Sequence, residues 1–447
     1  MEILKKMTKN EFINLDGSTV YCFKFYNGIT RYGFSFTDTI ERKYYIVGPR
    51  EDNSRPIKEI GILVQPEQIS RYEPASKIPP SNHRTFTIED NPNSKKAIIL
   101  GAGASYDFTY EANVAENSRM PLTKDLFSHS YNDILKNYEG AFDLASEINL
   151  ISDLEHYFQK QWAKIERTHD LQLLKKLINT QYYLHDLFFT LSERFSMSNR
   201  SNYVNLVKLA HEFTLQHDNE IIPIITFNYD TLVEEAIKRV TNDDFNELGH
   251  YIDIKKRKIA LFKPHGSCNW VKDLKPGLVD TTSTRKNPSR HFLATEIYRN
   301  NYNISQLNDN LTEQIRILHK TDSSDVAHAQ YYPSILIPYK DKDDLIMPEN
   351  HKTLLSYFLP KIEDILIIGW KGAEANFQDI LKNRIGDKPI TITLVEPNLD
   401  AIHSFVETYS NVLPKATIIT KPIDGNDGAT FSQYMKFCLN SDNHFFT

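Results

Sequence analysis

The chain has 447 residues, 40% of them hydrophobic, enough for a large buried core in roughly two or three domains. A formal net charge of −6, with the basic residues scattered, argues against a surface built to hold nucleic acid, and no direct nucleic-acid binding is expected. No run of roughly 18 apolar residues offers a membrane span, and the opening Met-Glu-Ile-Leu-Lys-Lys lacks the apolar stretch of a signal peptide, so a globular, cytoplasmic protein without membrane attachment is expected.

Residues 1–75 read as a small β-rich module. Tyr21 to Phe25 and Arg31 to Phe36 are aromatic-rich with rough alternation, Asn27-Gly28 between them suits a tight hairpin turn, and Tyr44 to Val47 and Ile60 to Val64 continue the pattern. Such a module is either an extra sheet packed on the main domain or a surface for assembly and partners. Residues 76–96 read as a linker, because Pro79-Pro80 and Pro92 cannot sustain a helix or a central strand.

The main domain is placed at 97–440. Buried-strand runs recur at Ala97 to Leu100, Ile221 to Phe227, Ile259 to Phe262, Ser334 to Ile337, Asp364 to Ile368 and Thr391 to Val395, and helical patterns separate most of them. This alternation predicts an α/β fold with a Rossmann-like parallel sheet, whose ligands bind at the carboxyl ends of the strands. Between the first two strands, about 122–217, helical apolar spacing such as Leu171, Leu174, Leu177 and Ile178 predicts an all-helical insertion. Gly277 to Ser323 is polar and reads as loops or a cover over the site. The three cysteines, Cys22, Cys268 and Cys438, lie too far apart for a disulfide framework or a Cys-x-x-Cys zinc clamp, and no metal site is expected.

Three strand ends carry candidate chemistry. The first, Ala97-Ile-Ile-Leu-Gly101-Ala102-Gly103-Ala104-Ser105, runs a buried strand into two glycines and a serine. Glycine there lets backbone approach a phosphate, and the following helix N-terminus offers free N–H donors; a plain strand-to-helix turn explains the same residues. The dehydrogenase fingerprint wants a third glycine where Tyr106 stands. The second, Ile224-Ile-Thr226-Phe227-Asn228-Tyr229-Asp230, displays polar groups at the end of an apolar strand. Asp230 has an alternative role as a helix cap; Asn228 does not. The third, Leu261-Phe262-Lys263-Pro264-His265-Gly266-Ser267, places an imidazole, ordinarily near pKa 6.5, in a turn where it can accept a proton.

Taken together and in this order, the three segments resemble the sirtuin superfamily. Gly101 to Ser105 is similar to its phosphate loop, Thr226 to Asp230 to its Thr-x-Asn-x-Asp motif, and Lys263 to Ser267 to its catalytic His-Gly turn. Ile367-Ile-Gly369-Trp370 resembles the strand and loop that close over the cofactor, with Trp370-Lys371 in place of small hydroxyl residues. Leu394-Val-Glu396-Pro-Asn398 resembles the strand end that holds adenosine, with Glu396 in place of Asn. The resemblance covers Lys95 to Cys438. It is to the zinc-free sirtuin-like domains of bacterial antiphage defence, since the four-cysteine ribbon that follows the catalytic His in deacetylases has no counterpart here. Nor does Tyr106 to Met120 carry the Gly-Ile-Pro-Asp-Phe-Arg stretch of deacetylases.

The resemblance implies an enzyme that takes NAD as substrate, without a metal, and hydrolyses it to nicotinamide and ADP-ribose as an abortive-infection effector. Asn228, His265 and Asp230 would be catalytic: Asn228 fixes the ribose or the water, His265 is the base, and Asp230 holds the carboxamide or orients the loop. Gly101, Ala102, Gly103, Ser105, Thr226, Gly266, Ser267, Gly369, Trp370 and Glu396 would contact the dinucleotide. It also implies homo-oligomers and a protein partner such as a HerA-type ATPase or an Argonaute-like protein. Two other classes remain: a deacylase or ADP-ribosyltransferase using the same cleavage, and a non-catalytic subunit that senses NAD or ADP-ribose. Retention of both Asn228 and His265 speaks against the last, because binding alone needs no proton acceptor.

Overall fold

The computed structural model describes residues 92–111, 119–148, 154–195, 202–217, 219–275, 309–318, 331–336, 345–420 and 428–441, the strands of an N-terminal unit between 21 and 74, and a few isolated positions. The chain divides into two units, Met1–Asp90 and Asn91–Thr447.

The first unit is a five-stranded sheet. Its strands are β1 (Tyr21–Phe25), β2 (Thr30–Asp38), β3 (Lys43–Val47), β4 (Ile62–Val64) and β5 (Ile69–Pro74), in the order β4-β3-β2-β1-β5. Every pair is antiparallel, with Tyr21 opposite Gly33 and Phe23 opposite Tyr72. β5 is not evident in the sequence because Ile-Ser-Arg-Tyr-Glu-Pro carries few apolar residues. The Asn27-Gly28 turn lies outside the described residues, as does most of the expected linker. The linker's last residues already belong to the second unit: Asn93 bridges to Glu220, and Lys96 opens a strand.

The second unit is built on a six-stranded parallel sheet. β6 (Lys96–Leu100), β7 (Ile222–Thr226) and β8 (Ile259–Phe262) run outward in one direction from the centre. β12 (Asp364–Ile368), β13 (Ile390–Val395) and β14 (Ala416–Thr420) run outward in the other, giving the order β14-β13-β12-β6-β7-β8. All five pairings are parallel. β6, β7 and β12 are almost wholly buried because helices cover both faces, which is why they read as unbroken apolar runs. This is the doubly wound Rossmann-like arrangement, and the order in which strands are added reverses between β6 and β12, which are themselves parallel. β14 is an edge strand with alternating exposure, so it lacks the apolar run that marks the others.

Among the described residues the segment between β6 and β7 is helical. After α1 (Ala102–Glu111) come a single turn at Asn132–Leu135, α2 (Glu139–Ile148), α3 (Leu154–Thr168), α4 (Leu171–Phe195) and α5 (Asn202–Gln216). α4 buries Leu173, Leu174, Leu177, Ile178 and Leu184 along the expected stripe. The remaining crossovers use α6 (Leu232–Thr241), α7 (Glu349–Phe358), α8 (Ala375–Arg384) and α9 (Leu399–Val412), and α10 (Phe431–Asn440) follows β14.

One strand expectation needs correction. The Ser334 to Ile337 run does not join the parallel sheet. Its strand, β11 (Tyr331–Ile335), belongs to a separate antiparallel sheet with β9 (Gly266–Leu274) and β10 (Leu311–Ile317), ordered β10-β9-β11. β11 is buried at all five positions and packs against α4, so it carries the same apolar signature as a central parallel strand. β10 falls inside the stretch expected as loops; its middle is polar and exposed, which hides it. Most of the rest of Gly277 to Ser323 lies outside the described residues.

Candidate functional site

The three motifs meet where the carboxyl ends of β6, β7, β8 and β12 come together, beside the point at which strand order reverses. In such sheets that crevice is where ligands bind.

The glycine turn has a packing role that the structure makes visible. Gly101 N–H donates to Ile368 O (3.0 Å), and Gly103 N–H donates to Gly369 O (3.1 Å). A Cβ on Gly103 would sit 2.8 Å from Gly369 Cα, and one on Gly101 would sit 2.4 Å from Gly369 O. Gly369 itself has φ +60 and would put a Cβ 2.4 Å from Ala104 N. The three glycines therefore let two backbone turns touch across the switch point. A side chain at Gly103 would strike the protein before it struck a pyrophosphate. Ala102, at the start of α1, is half-buried beside this contact.

Asn228 sits just beyond β7 and is 6% exposed. Its Nδ2 donates to Gly101 O (2.9 Å) and to Ser105 Oγ (3.0 Å). A backbone carbonyl can only accept, so this contact fixes the amide's orientation. Its N–H donates to Thr226 Oγ1 (3.2 Å). The side-chain Oδ1, turned the other way, is buried with no hydrogen-bond partner. A buried acceptor left without a donor costs about 1–3 kcal/mol, so this atom is poised to accept from something outside the chain.

Ser105 organises the same cluster from α1. Its hydroxyl donates to Asp230 Oδ2 (2.7 Å) and lies 2.7 Å from the Tyr203 hydroxyl. Asp230 also accepts Leu232 N–H on Oδ1 (3.1 Å), so both carboxylate oxygens are engaged inside the protein. Asp230 is thus held by contacts within the protein. It holds Ser105, and through it Asn228, and opens α6. Beneath it, Lys263 Nζ donates to Asp230 O and to Glu234 Oε1 (2.9 Å), and the Tyr251 hydroxyl donates to the same Glu234 oxygen (3.1 Å). Burial pushes both the Asp230 and the Glu234 carboxyls above the usual range, with the Lys263 ammonium acting against it. Burial also raises the Tyr203 phenol, with the Asp230 charge adding to it, so it acts as a neutral donor.

His265 is half-buried at the tip of the turn after β8. Its ring meets Phe227 edge-on (centroids 5.0 Å) and lies 6.2 Å from the Tyr229 ring. The residues on either side of Asn228 thus both touch His265. Gly266 has φ +77, and a Cβ there would lie 2.0 Å from Ser334 O, so only glycine fits. Ser267 is fully buried, its hydroxyl 3.4 Å from Tyr229 O, and it ties the two loops together.

The remaining candidates lie just past the carboxyl ends of β12 and β13. Trp370 is 3% exposed and stacks on Phe227 (4.9 Å, 7°), with Phe377, Phe405 and Tyr409 around it. Its Nε1 is buried without a partner. Glu396 stands just past β13, accepts Asn398 N–H (3.1 Å), and has its carboxyl raised by partial burial, opposed by Lys371. The two strand ends lie side by side, with Ile368 opposite Val395. Sequence reasoning missed Tyr203, Phe227 and Glu234. Tyr203 comes from the helical insertion and nothing in its surroundings marks it; Phe227 lies inside the quoted motif, and its neighbour Trp370 was the available signal.

No family model matches this chain, and no curated protein matches it. A solved structure described as "The Structural basis of Sirtuin Substrate Affinity" aligns over 75% of this chain and 92% of its own, at 10% identity with a TM-score of 0.28. At that similarity nothing about activity passes from it to this chain. Among the described residues no helix is long and apolar enough to cross a membrane, and no group of three or more His, Cys, Asp or Glu is placed to hold a metal ion.

Proposed function

We propose that the chain cleaves NAD at its nicotinamide–ribose bond, water taking the place of nicotinamide to give ADP-ribose, nicotinamide and a proton. The observation that carries this reading is the buried, partnerless Oδ1 of Asn228 at the switch point of a Rossmann-ordered sheet, with the His265 ring against Phe227, the residue before it. A ribose hydroxyl is the donor such an acceptor suits. Asn228 would orient the sugar, its amide held rigid by Gly101 O and Ser105. His265 would take the proton released as water attacks. Asp230, locked in place, would keep Ser105 and Asn228 aligned. Glu396, past β13, is suited to the hydroxyls of the adenosine ribose, and the Trp370 indole N–H offers a further donor. The leaving group departs as a neutral base and needs no strong acid, so the site's task is orientation and one proton transfer.

The motif resemblance extends this reading to the cell. There the activity would serve as an abortive-infection effector, working as an oligomer and with a HerA-type ATPase or Argonaute-like partner that releases it on infection. The experiment is chromatography of NAD incubated with the protein, alone and with a co-expressed partner, with EDTA present. Nicotinamide and ADP-ribose in equal amounts support the reading. Unchanged NAD under every condition, with binding intact, favours a sensor; acyl transfer to ribose from an acylated peptide favours a deacylase.

A further inference from the structure

Gln181 lies on α4, in the helical insertion, and its side-chain amide is fully used. Nε2 donates to Pro333 O (3.0 Å) and Ile335 O (2.9 Å), and Oε1 accepts from the Tyr332 hydroxyl (2.9 Å). Two acceptor-only carbonyls on one side and a hydroxyl on the other fix the orientation of the amide. β11 is an edge strand of its sheet, paired with β9 alone among the described residues. Gln181 stands where the next strand would be and satisfies carbonyls that burial would otherwise leave unpaired.

The same few residues of β11 carry the His265 turn. Ile335 is the register partner of Gly266, and Ser334 O is the atom against which Gly266 packs. Leu336 N–H donates to His265 O (2.9 Å), and the Tyr229 hydroxyl donates to Leu336 O (2.5 Å). The chain of contacts is short: Gln181 amide, Ile335 carbonyl, Leu336 N–H, His265 carbonyl.

We propose that Gln181 is a positioning residue for His265, coupling the helical insertion to the proton-accepting turn through the edge of β11. The inference rests on the reading of His265 as the base. Gln181→Met keeps the length and flexibility of the side chain and removes both donors and the acceptor, so the strand edge loses its anchor while packing is retained. Because small misplacements of a reacting group cost up to about 100-fold, kcat should fall by about 10- to 100-fold with KM unchanged.

The test uses the full chain labelled with ¹³C-histidine, the His265 ring resonance being identified by its loss in His265→Gln. His217, stacked on Phe213 at 4.1 Å near the amino end of β7, serves as the control. In Gln181→Met the His265 resonance should shift or broaden, the His217 resonance should stay, and kcat for NAD cleavage should fall. A His265 resonance that does not move, movement of both resonances alike, or an unchanged kcat overturns the proposal. Should Gln181→Met fail to fold, Gln181→Glu, which keeps the shape of the side chain and the acceptor for the Tyr332 hydroxyl but removes the amide donors to Pro333 O and Ile335 O, decides the matter by the same readings. Absence of NAD cleavage in the wild type would count against the proposed function alone, since the resonances then still report whether Gln181 moves His265; in that case an unmoved His265 resonance overturns the coupling and a moved one upholds it.

Discussion

Lys263→Met tests whether the polar cluster beneath the site is held as an ion pair. Lys263 is fully buried and Glu234 is 6% exposed at the side chain, with Nζ and Oε1 2.9 Å apart. Removing one partner of a buried pair leaves the other charge uncompensated and typically costs about 3–5 kcal/mol. Here Asp230 O also loses its donor, worth about 1 kcal/mol. The penalty has a definite pH dependence. Without Lys263 the buried Glu234 carboxyl, already raised by burial, is driven higher and stays protonated in the folded state, whereas the unfolded chain ionises near its ordinary value of 4.5. Above that value the folded state then binds more protons than the unfolded one, so stability falls as pH rises, by up to about 1.4 kcal/mol per pH unit. Urea unfolding at pH 6 and pH 8 should show Lys263→Met less stable than wild type, and more so at pH 8. Adding Glu234→Gln, which keeps an acceptor for Tyr251, should restore much of the loss and remove the extra pH slope. A Lys263→Met protein within 1 kcal/mol of wild type at both pH values, a margin set by the ~1 kcal/mol of the lost hydrogen bond alone, would refute the ion-pair account.

Two further outcomes follow from backbone crowding and from a buried imidazole. Gly369→Ala should lower stability by about 2–5 kcal/mol, combining about 1–2 kcal/mol for the left-handed backbone with about 1–3 kcal/mol for overpacking against Ala104 and Gly103. Gly386→Ala, at φ +59 with its nearest contact 3.6 Å away, should carry the backbone cost alone, and equal losses at the two sites by urea denaturation would contradict the close approach. His351 is fully buried and donates from Nε2 to Leu248 O, and burial lowers its pKa from 6.5 to about 4. The neutral ring is therefore stabilised: its contribution is intact above pH 6.5 and is lost as pH falls towards 4, about 3 kcal/mol in all. His351→Gln should flatten that part of the stability–pH curve, and an unchanged acid limb would count against the burial argument.

Much of the parallel sheet was legible because strands buried on both faces are written as unbroken apolar runs, and candidate polar groups stand out where those runs are interrupted. Asn228 and His265 became candidates in that way. The antiparallel sheet was harder. β11 is as apolar as a central parallel strand, β10 is half polar, and no local pattern says which sheet a strand will join. Glycine was ambiguous for a related reason. At Gly103 the sequence shows that a backbone needs room, and the structure shows that Gly369 takes it. Long-range hydrogen bonds were invisible: Tyr203 reaches Ser105, and Gln181 reaches Ile335, from helices whose periodicity marks only their apolar stripe.

The central claim is that Asn228 and His265 act together on one bond of NAD. Its most direct test is single-turnover cleavage of NAD by wild type, Asn228→Ala, His265→Ala and the double variant, with NAD affinity measured by calorimetry on the same preparations. His265→Ala should cleave about 10²- to 10⁴-fold more slowly while still binding NAD. Asn228→Ala should lose both rate and affinity, since it removes the unpartnered Oδ1 proposed as the ribose contact. The double variant should be scarcely slower than the worse single one, because both residues serve one step. Cleavage by His265→Ala at the wild-type rate, in a protein that folds and binds NAD, would contradict the account.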